Sequence, residues 1–473
     1  MKNKFDSQNF LYLAILCIAT ITPIFLDIEI LHPESRAFIY NYSRDLPLMN
    51  LIFDPLNNDW GLYQGREFSY LIDYLDVKYM ALWAKWRSAH FYSLSYFICC
   101  MTIICVQQYY GNRLFRNLTK IEIFSASMIF VTLPNILTGA IFFRSSKPLC
   151  SLFICVICYL SLLLFKRGTI PSIKQNRTTI AAIIFFEILL VSSDKQGVFF
   201  VSVFGIITAI FLMLSFLLPK MSSSNSRSLA TITIGSAAVI FLSVLYNGLI
   251  CPVIIHACNG YYPDFNYQKG QAINFAAVIN GLEVFFRFTG VIVGSMGIWS
   301  GFAVIFGIFF MLGYPLRKSI VRRKSRMFCQ QLYFILTYIL LIPAAAVMFI
   351  IMVQRHLSIA AMPELQSSSY TMPLLVILVF FLTLALDRLQ INRSGKFKNA
   401  ASVLLLALAF INLMPLQHFL MLQRKGHLKY YYTRTPDIKN IINSGSNPKD
   451  YLLLLPDDIR VIQSLSKGQT PDK

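Results

Sequence analysis

Residues 10–26 read FLYLAILCIATITPIFL, without a single charge, and Asp27-Ile28-Glu29 follows at once. A run of this kind approaches the ~20 residues a helix needs to cross the hydrocarbon core of a bilayer. It lacks a small-residue cleavage site, so it reads as an uncleaved first span rather than a secretory signal. Similar apolar runs recur at 89–107, 121–143, 149–165, 178–191, 198–218, 229–251, 288–314, 331–353, 373–386 and 400–422. With the first run these are eleven candidate spans, of which 178–191 and 373–386 are the shortest. No internal repeat is evident.

Composition agrees with this reading. Of 473 residues 56% are hydrophobic and 14% charged, against roughly 25% charged in ordinary globular domains. The surplus apolar surface must face lipid or other helices. The net charge of +20 does not point to nucleic acid, because Lys and Arg sit in short clusters between the apolar runs. Such clusters mark cytoplasmic loops. With the N-terminus inside, the inner pieces (1–9, 108–120, 166–177, 219–228, 315–329 and 387–399) carry 21 basic residues in 72 positions. The short outer loops (144–148, 192–197, 252–287 and 354–372) carry 6 in 66.

The expected fold is therefore an all-α polytopic membrane protein. It has about eleven transmembrane helices, a long first outer loop and a short outer C-terminal tail. A transmembrane domain occupies 1–422, including the outer loop 27–88, and the non-cytoplasmic tail occupies 423–473. Within loop 252–287 the segment Ala272–Arg287 has helical apolar spacing. It is expected to lie on the membrane surface, with Glu283 and Arg287 paired four residues apart. Most of the ten cysteines lie in apolar runs. Cys155 and Cys158 read as packing residues, whereas Cys251 and Cys258 could form a disulfide in or near an outer loop.

The first outer loop carries the candidate chemistry. Asp27 and Glu29 are two residues apart at the membrane surface and would share one side of an extended stretch. Such a pair could hold a divalent metal, act as a general base or mark the polar end of a span. Farther along come Asn58-Asp59-Trp60-Gly61-Leu62-Tyr63-Gln64-Gly65-Arg66-Glu67. The faces of Trp60 and Tyr63 suit sugar rings or an interfacial anchor, and the Arg66 fork suits phosphate. The stretch from Tyr70 to Trp86 has helical apolar spacing and could lie flat against the bilayer beneath a site. Short outer loops add Arg144 and Lys147, then Lys195 beside Asp194, then Arg355 and His356. Each of these cations could be a snorkelling anchor. Together they form a ring of positive charge suited to a lipid-linked phosphate leaving group. Glu187, within the span 178–191, is a further functional candidate because acids are costly inside membranes.

A long outer loop directly after the first span and opening with acids resembles the GT-C superfamily of membrane glycosyltransferases. So do the inside N-terminus, the ten-odd spans and the outer tail. Asp27-x-Glu29 looks like the acidic motif of that family's first outer loop. The stretch from Asp59-Trp60 to Gly65-Arg66 resembles the bacterial glucosyltransferases that modify O-antigen, a part of cell-envelope lipopolysaccharide. The resemblance implies a sugar donor on a polyprenyl phosphate and a glycan or lipid-linked acceptor. It implies a carboxylate base, Asp27 by first choice with Glu29 and Asp59 as alternatives, and inversion at the anomeric carbon. Arg66, Lys195, Arg355 or a metal such as Mg or Mn would stabilise the departing phosphate. A bacterial inner-membrane location, with a periplasmic C-terminus, goes with it. The rival readings are a transporter or flippase, which commonly shows internal repeats, and a polysaccharide polymerase.

Overall fold

The first apolar run folds as helix α1 (Ser7–Phe25), whose Tyr12 ring stacks on Phe124 at 4.7 Å. The computed structural model describes residues 7–25, 30–31, 42, 46–53, 65–84, 93–133, 145–166, 173–217, 223–262, 275–295, 297–321, 325–355, 363–389, 403–409, 411 and 433–434. After α1 come a short strand β1 (Ile30–Leu31), α2 (Leu48–Phe53), α3 (Glu67–Ala84), α4 (Leu94–Leu114) and α5 (Lys120–Thr132). The chain continues through α6 (Ser146–Lys166), α7 (Ile173–Val191), α8 (Lys195–Leu217) and α9 (Ser223–Leu245). A π-helical turn (Tyr246–Ile250) joins α9 to α10 (Cys251–Asn259). The remaining elements are α11 (Phe275–Gly290), α12 (Ile298–Val321), α13 (Ser325–Arg355), α14 (Pro363–Leu389) and strand β2 (Thr433–Arg434).

Local chemistry explains several boundaries. Thr119 and Glu122 form a reciprocal capping box at the start of α5, which satisfies two donors that an α-helix leaves without internal partners. The Ser93 hydroxyl accepts from the Tyr96 amide at the start of α4. Pro252 stands in the first turn of α10. Its missing N–H accounts for the widened hydrogen bonding of the preceding π turn.

Five described helical stretches are long and apolar enough to cross a bilayer. They are Ser146–Leu164, Lys195–Leu214, Ser228–Asn259, Gln331–Ile351 and Thr371–Leu389. The pair Val278–Val293 and Ile298–Tyr314, bent by 71°, makes up to six if counted as one span. The other candidate runs coincide with α1, α4, α5, α7 and the helical residues 403–409. The expected eleven is thus not reached among the described residues, where α1 is a shorter apolar helix and 134–143 and most of 400–422 lie outside them. The two shortest runs sit inside longer helices, α7 and α14, because helical hydrogen bonding continues past the apolar stretch into polar residues.

α14 lies at the centre of the bundle. Its Phe380 meets Tyr159 edge-on at 5.2 Å, and its Phe381 meets Tyr338 at 5.1 Å. In lipid such packing stabilises through close contact rather than through escape from water. The stretch around the π turn is the opposite case. Ile234, Phe241, Leu242, Val244, Leu249 and Val253 are all exposed. In water this would be a large apolar patch; here it is a lipid-facing surface.

Contacts between loops test the sidedness read from the charges. Residues of the first outer loop meet residues at the predicted outer end of the spans: Arg66 meets Asp194, Asp73 meets Ser145, and Glu67 meets Cys251. Asn50 meets Cys258 and Asn259 at the end of α10. β1 pairs antiparallel with β2 in the tail, Ile30 opposite Arg434 and Leu31 opposite Thr433. At the other end of the bundle Asn117, between α4 and α5, binds Asp387 at the end of α14.

Two expectations change. Residues 275–287 of the segment Ala272–Arg287 lie in α11, and its Glu283 and Arg287 do pair, at 3.6 Å with both side chains half-exposed. The helix does not lie apart on the membrane surface. Phe285 packs against Phe349, and a Cβ on Gly281 would meet the Ile350 Cα at 2.5 Å, so α11 is packed into the bundle. Cys251 and Cys258 both lie on α10, and neither is in a disulfide. Seven residues along one helix separate them by roughly 10 Å, beyond the reach of a disulfide. Cys155 and Cys158 are free and buried in the core.

The close approach at Gly281 makes a controlled prediction. Gly281→Ala should destabilise the detergent-solubilised protein by about 1–3 kcal/mol, because backbone must move to admit the methyl group. Gly307, in α12, faces open space, and Gly307→Ala should instead raise the melting temperature slightly through helix propensity. Thermal unfolding of the two variants side by side measures the difference.

Candidate functional site

α3 is built from a segment with helical apolar spacing, yet the stripe it buries is polar. Ser69, Asp73 and Asp76 lie along one face, preceded by Arg66, and all four are buried. Each reaches toward the beginning of a helix or toward a residue near it. Asp76 accepts from the Ser95 amide at 2.9 Å, the Ser95 hydroxyl at 2.6 Å and the Ser93 hydroxyl at 3.0 Å, which caps the start of α4. Asp73 accepts from the Ser145 amide at 2.6 Å, just before α6, and the Ser145 hydroxyl donates to the Ser69 carbonyl at 2.9 Å. Asp194 performs the same service for α8, accepting from the Gln196 amide at 2.8 Å. The free N–H groups and positive dipole end of each helix suit a carboxylate.

Asp194 also binds two cations. The Lys147 ammonium lies 2.8 Å and the Arg66 Nη1 3.2 Å from the same oxygen, Oδ2. The three side chains are 8% (Lys147), 7% (Arg66) and 2% (Asp194) exposed. The Arg66 guanidinium also stands 5.8 Å from the centre of the Tyr70 ring, a cation–π contact. One carboxylate against two cations leaves the trio with one surplus positive charge.

The carboxyl groups respond to these surroundings in opposite ways. Burial by itself would raise Asp194, but Lys147 and then Arg66 outweigh it and hold the carboxyl well below the usual range. Among the described residues no cation pairs with Asp76. Burial pushes it up to about 7, Asp73 adds to the rise, and the hydrogen bonds from Ser95 and Ser93 hold it down only in part.

A second group of contacts ties the start of α3 to the π turn. The Cys251 thiol donates to Glu67 at 3.3 Å, and the Tyr246 hydroxyl is in hydrogen-bonding contact with the same carboxylate. Gly65 comes so close to Asn247 that a Cβ there would overlap the side-chain amide. Inside the bundle, Glu187 is fully buried and both its oxygens accept from the Ser236 hydroxyl, at 2.9 and 3.1 Å.

Of the residues singled out from sequence, Arg66 and Lys147 come together. Lys195 is exposed at the start of α8, beside Asp194 but outside the trio. Asp27, Glu29, Asp59, Trp60, Tyr63, Arg144 and His356 lie outside the described residues, as does the side chain of Arg355. Among the described residues no three His, Cys, Asp or Glu side chains group as metal ligands. Sequence reasoning missed Asp73 and Asp76, and it read Asp194 only as the neighbour of Lys195. The available signal was serine or aspartate standing just before an apolar run (Ser93, Ser145 and Asp194), the mark of a helix start.

The fold is similar to that in the crystal structure of ArnT from Cupriavidus metallidurans bound to undecaprenyl phosphate. The identity is 12% over 97% of this chain and 77% of that one, with a TM-score of 0.46. For ArnT from the same organism in the apo state, the identity is 12% over 98% and 77%, with a TM-score of 0.44. No protein-family model matches the chain, and no curated protein matches it at a significant level. At this distance no residue assignment passes from ArnT to this chain.

Two predictions rest on the carboxylates. Asp194→Asn would remove the carboxylate that two buried cations share and should cost about 3–5 kcal/mol, read as a large drop in thermal stability. The depressed Asp194 carboxyl makes the native contribution complete at neutral pH and lost only on strong acidification. Asp76 has the opposite sign. A folded-state value near 7 lies above the unfolded ~3.9, so the folded chain binds the extra proton. Stability should therefore fall as pH rises from about 4 to about 7, and Asp76→Asn should flatten that part of the melting-temperature profile. An unchanged slope in the variant would assign it to another group.

Proposed function

We propose that the chain is a GT-C-type membrane glycosyltransferase. It transfers a sugar from a polyprenyl-phosphate donor to a glycan or lipid-linked acceptor at the non-cytoplasmic face, inverting the anomeric centre. The observation that carries this reading is the buried Arg66–Asp194–Lys147 trio. Stability by itself would not place Lys147 in the first turn of a helix, where the dipole favours an anion. The trio's surplus positive charge suits an arriving phosphate, and its burial makes the attraction stronger than it would be in water. The planar Arg66 fork and the point-like Lys147 ammonium are complementary phosphate donors.

In the proposed reaction a carboxylate takes the acceptor hydroxyl proton, with Asp27 first and Glu29 or Asp59 as alternatives. The acceptor oxygen bonds to the anomeric carbon, and the bond from that carbon to the phosphate oxygen breaks. Its electron pair leaves with the lipid phosphate, which Arg66 and Lys147 stabilise together with Arg144, Lys195, Arg355 and His356. Trp60 and Tyr63 stack on the sugar. The expected setting is a bacterial inner membrane, with the N-terminus cytoplasmic and the C-terminus periplasmic. The tail 423–473 is proposed as an appendage on the same face as the first loop, in line with the β1–β2 pairing.

A transporter or flippase is favoured by one observation, the fully buried Glu187 with its Ser236 partner. The same experiment separates the two readings. Added polyprenyl phosphate should raise the melting temperature of the purified protein, whereas the corresponding polyprenol should not. Arg66→Gln and Lys147→Met should each lose most of that shift and lower sugar transfer in membranes by roughly 10²–10³-fold. Asp27→Asn should abolish transfer with insertion intact. Equal response to the phosphate and the alcohol, or full transfer in Asp27→Asn, Glu29→Gln and Asp59→Asn alike, would overturn the assignment. Substrate flux lost in Glu187→Gln with no transfer in the wild type would favour the transporter.

A further inference from the structure

The bundle end opposite the Arg66–Asp194–Lys147 trio holds a charge that the proposed transfer does not use. α4 runs from Ser93, beneath Asp76, to the connection where Asn117 sits, roughly 30 Å away along the helix. There the Asn117 amide N–H donates to Asp387 Oδ1 at 2.9 Å, and its side-chain amide donates to the Asp387 carbonyl at 3.1 Å. These bonds clamp the α4–α5 connection onto the last turn of α14. The next residue, Arg388, is only 9% exposed. Its Nη2 is buried without a hydrogen-bond partner, and among the described residues no carboxylate lies within ion-pairing distance of it.

A guanidinium in this state is costly. An arginine at the end of a span ordinarily snorkels to water, and a buried one is ordinarily paired. The Asp387 carboxylate next to it already accepts from Asn117. The chain that follows, 390–400, contains Arg393, Lys396 and Lys398 and no acid at all, so it brings no neutralising charge. Arg116, beside Asn117, adds another cation on the clamped connection. This is the end that the basic-residue count assigns to the cytoplasm, where anionic lipids concentrate and basic pockets between spans bind lipid phosphates.

We propose that Arg388, on the clamp formed by Asn117 and Asp387, anchors a phosphate site at this end, filled by the headgroup of an anionic membrane phospholipid. The guanidinium donates to the phosphate oxygens, and the lipid chains lie along the bundle surface. The site is separate from the proposed donor site and does not depend on the chain being a transferase.

Delipidated full-length protein in neutral detergent tests this. Phosphatidylglycerol, phosphatidylcholine and inorganic phosphate are added separately, and melting temperature is read together with lipid retention by native mass spectrometry. Phosphatidylglycerol should raise the melting temperature by a few degrees and be retained about fivefold over phosphatidylcholine, the preference one basic contact gives. Arg388→Met should lose the shift, and Arg388→Lys should keep part of it. A shift of the same size with inorganic phosphate, also lost in Arg388→Met, would keep the phosphate site but overturn the lipid as its occupant. No difference among the three additives in the wild type, or an undiminished phosphatidylglycerol shift in Arg388→Met, would overturn the site. If Arg388→Met does not fold, the wild-type comparison and Arg388→Lys decide it.

Discussion

The structure depends on satisfying the first amide groups of α4, α6 and α8, which all begin at one end of the bundle. A helix leaves its first four N–H groups without internal partners, and an unpaired buried amide costs free energy on the scale of a lost hydrogen bond. Water would normally satisfy these groups at a surface. Here α3 packs against the starts of α4 and α6, and Asp194 caps α8 locally, so protein groups do it. Asp76 serves α4, Asp73 serves the Ser145 amide before α6, and Asp194 serves α8. These bonds also hold α3 in place across the bundle, which its short buried apolar complement of Tyr70 and Val77 would do only weakly.

That arrangement decides where charge can sit. Three carboxylates facing three helix starts are electrostatically natural, whereas Lys147 in the first turn of α6 is not. Lys147 is tolerated because Asp194 lies 2.8 Å away, and Arg66 joins at the same carboxylate oxygen. The trio is therefore more than a structural clasp. It gathers two cations on one buried carboxylate beside the start of α3, and the proposed donor site is built on that grouping. Asp76, with no cation paired to it among the described residues, is governed by burial instead, so two acids a few turns apart along the same rim titrate in opposite directions.

The opposite end is solved differently. Thr119 and Glu122 close the start of α5 locally, within four residues. Asn117 clamps the end of α14, and Arg388 beside it keeps a buried Nη2 with no hydrogen-bond partner. The two ends thus differ in kind. One pairs its charges through long-range contacts between loops; the other relies on local caps and, among the described residues, leaves the Arg388 guanidinium without an ion pair.

Much of this was legible in the residues themselves. Apolar runs separated by basic clusters specify a helical membrane protein, because lipid admits only backbone that satisfies its own hydrogen bonds. The Lys and Arg asymmetry grouped the loops correctly by end, as the contacts of Arg66, Asp73 and Asn50 on one side and of Asn117 on the other attest. The pairing of Glu283 with Arg287 followed from four-residue spacing. Spacing could not say that α11 packs inward or that Cys251 and Cys258 point along one helix, since both depend on which neighbour fills the space. Nor could it join Arg66, Lys147 and Asp194, which are up to 128 residues apart. Hydrophobic and charge patterns act locally along the chain and so can be read from it. The partner of a buried charge is set by how helices pack, and only the tertiary structure decides that.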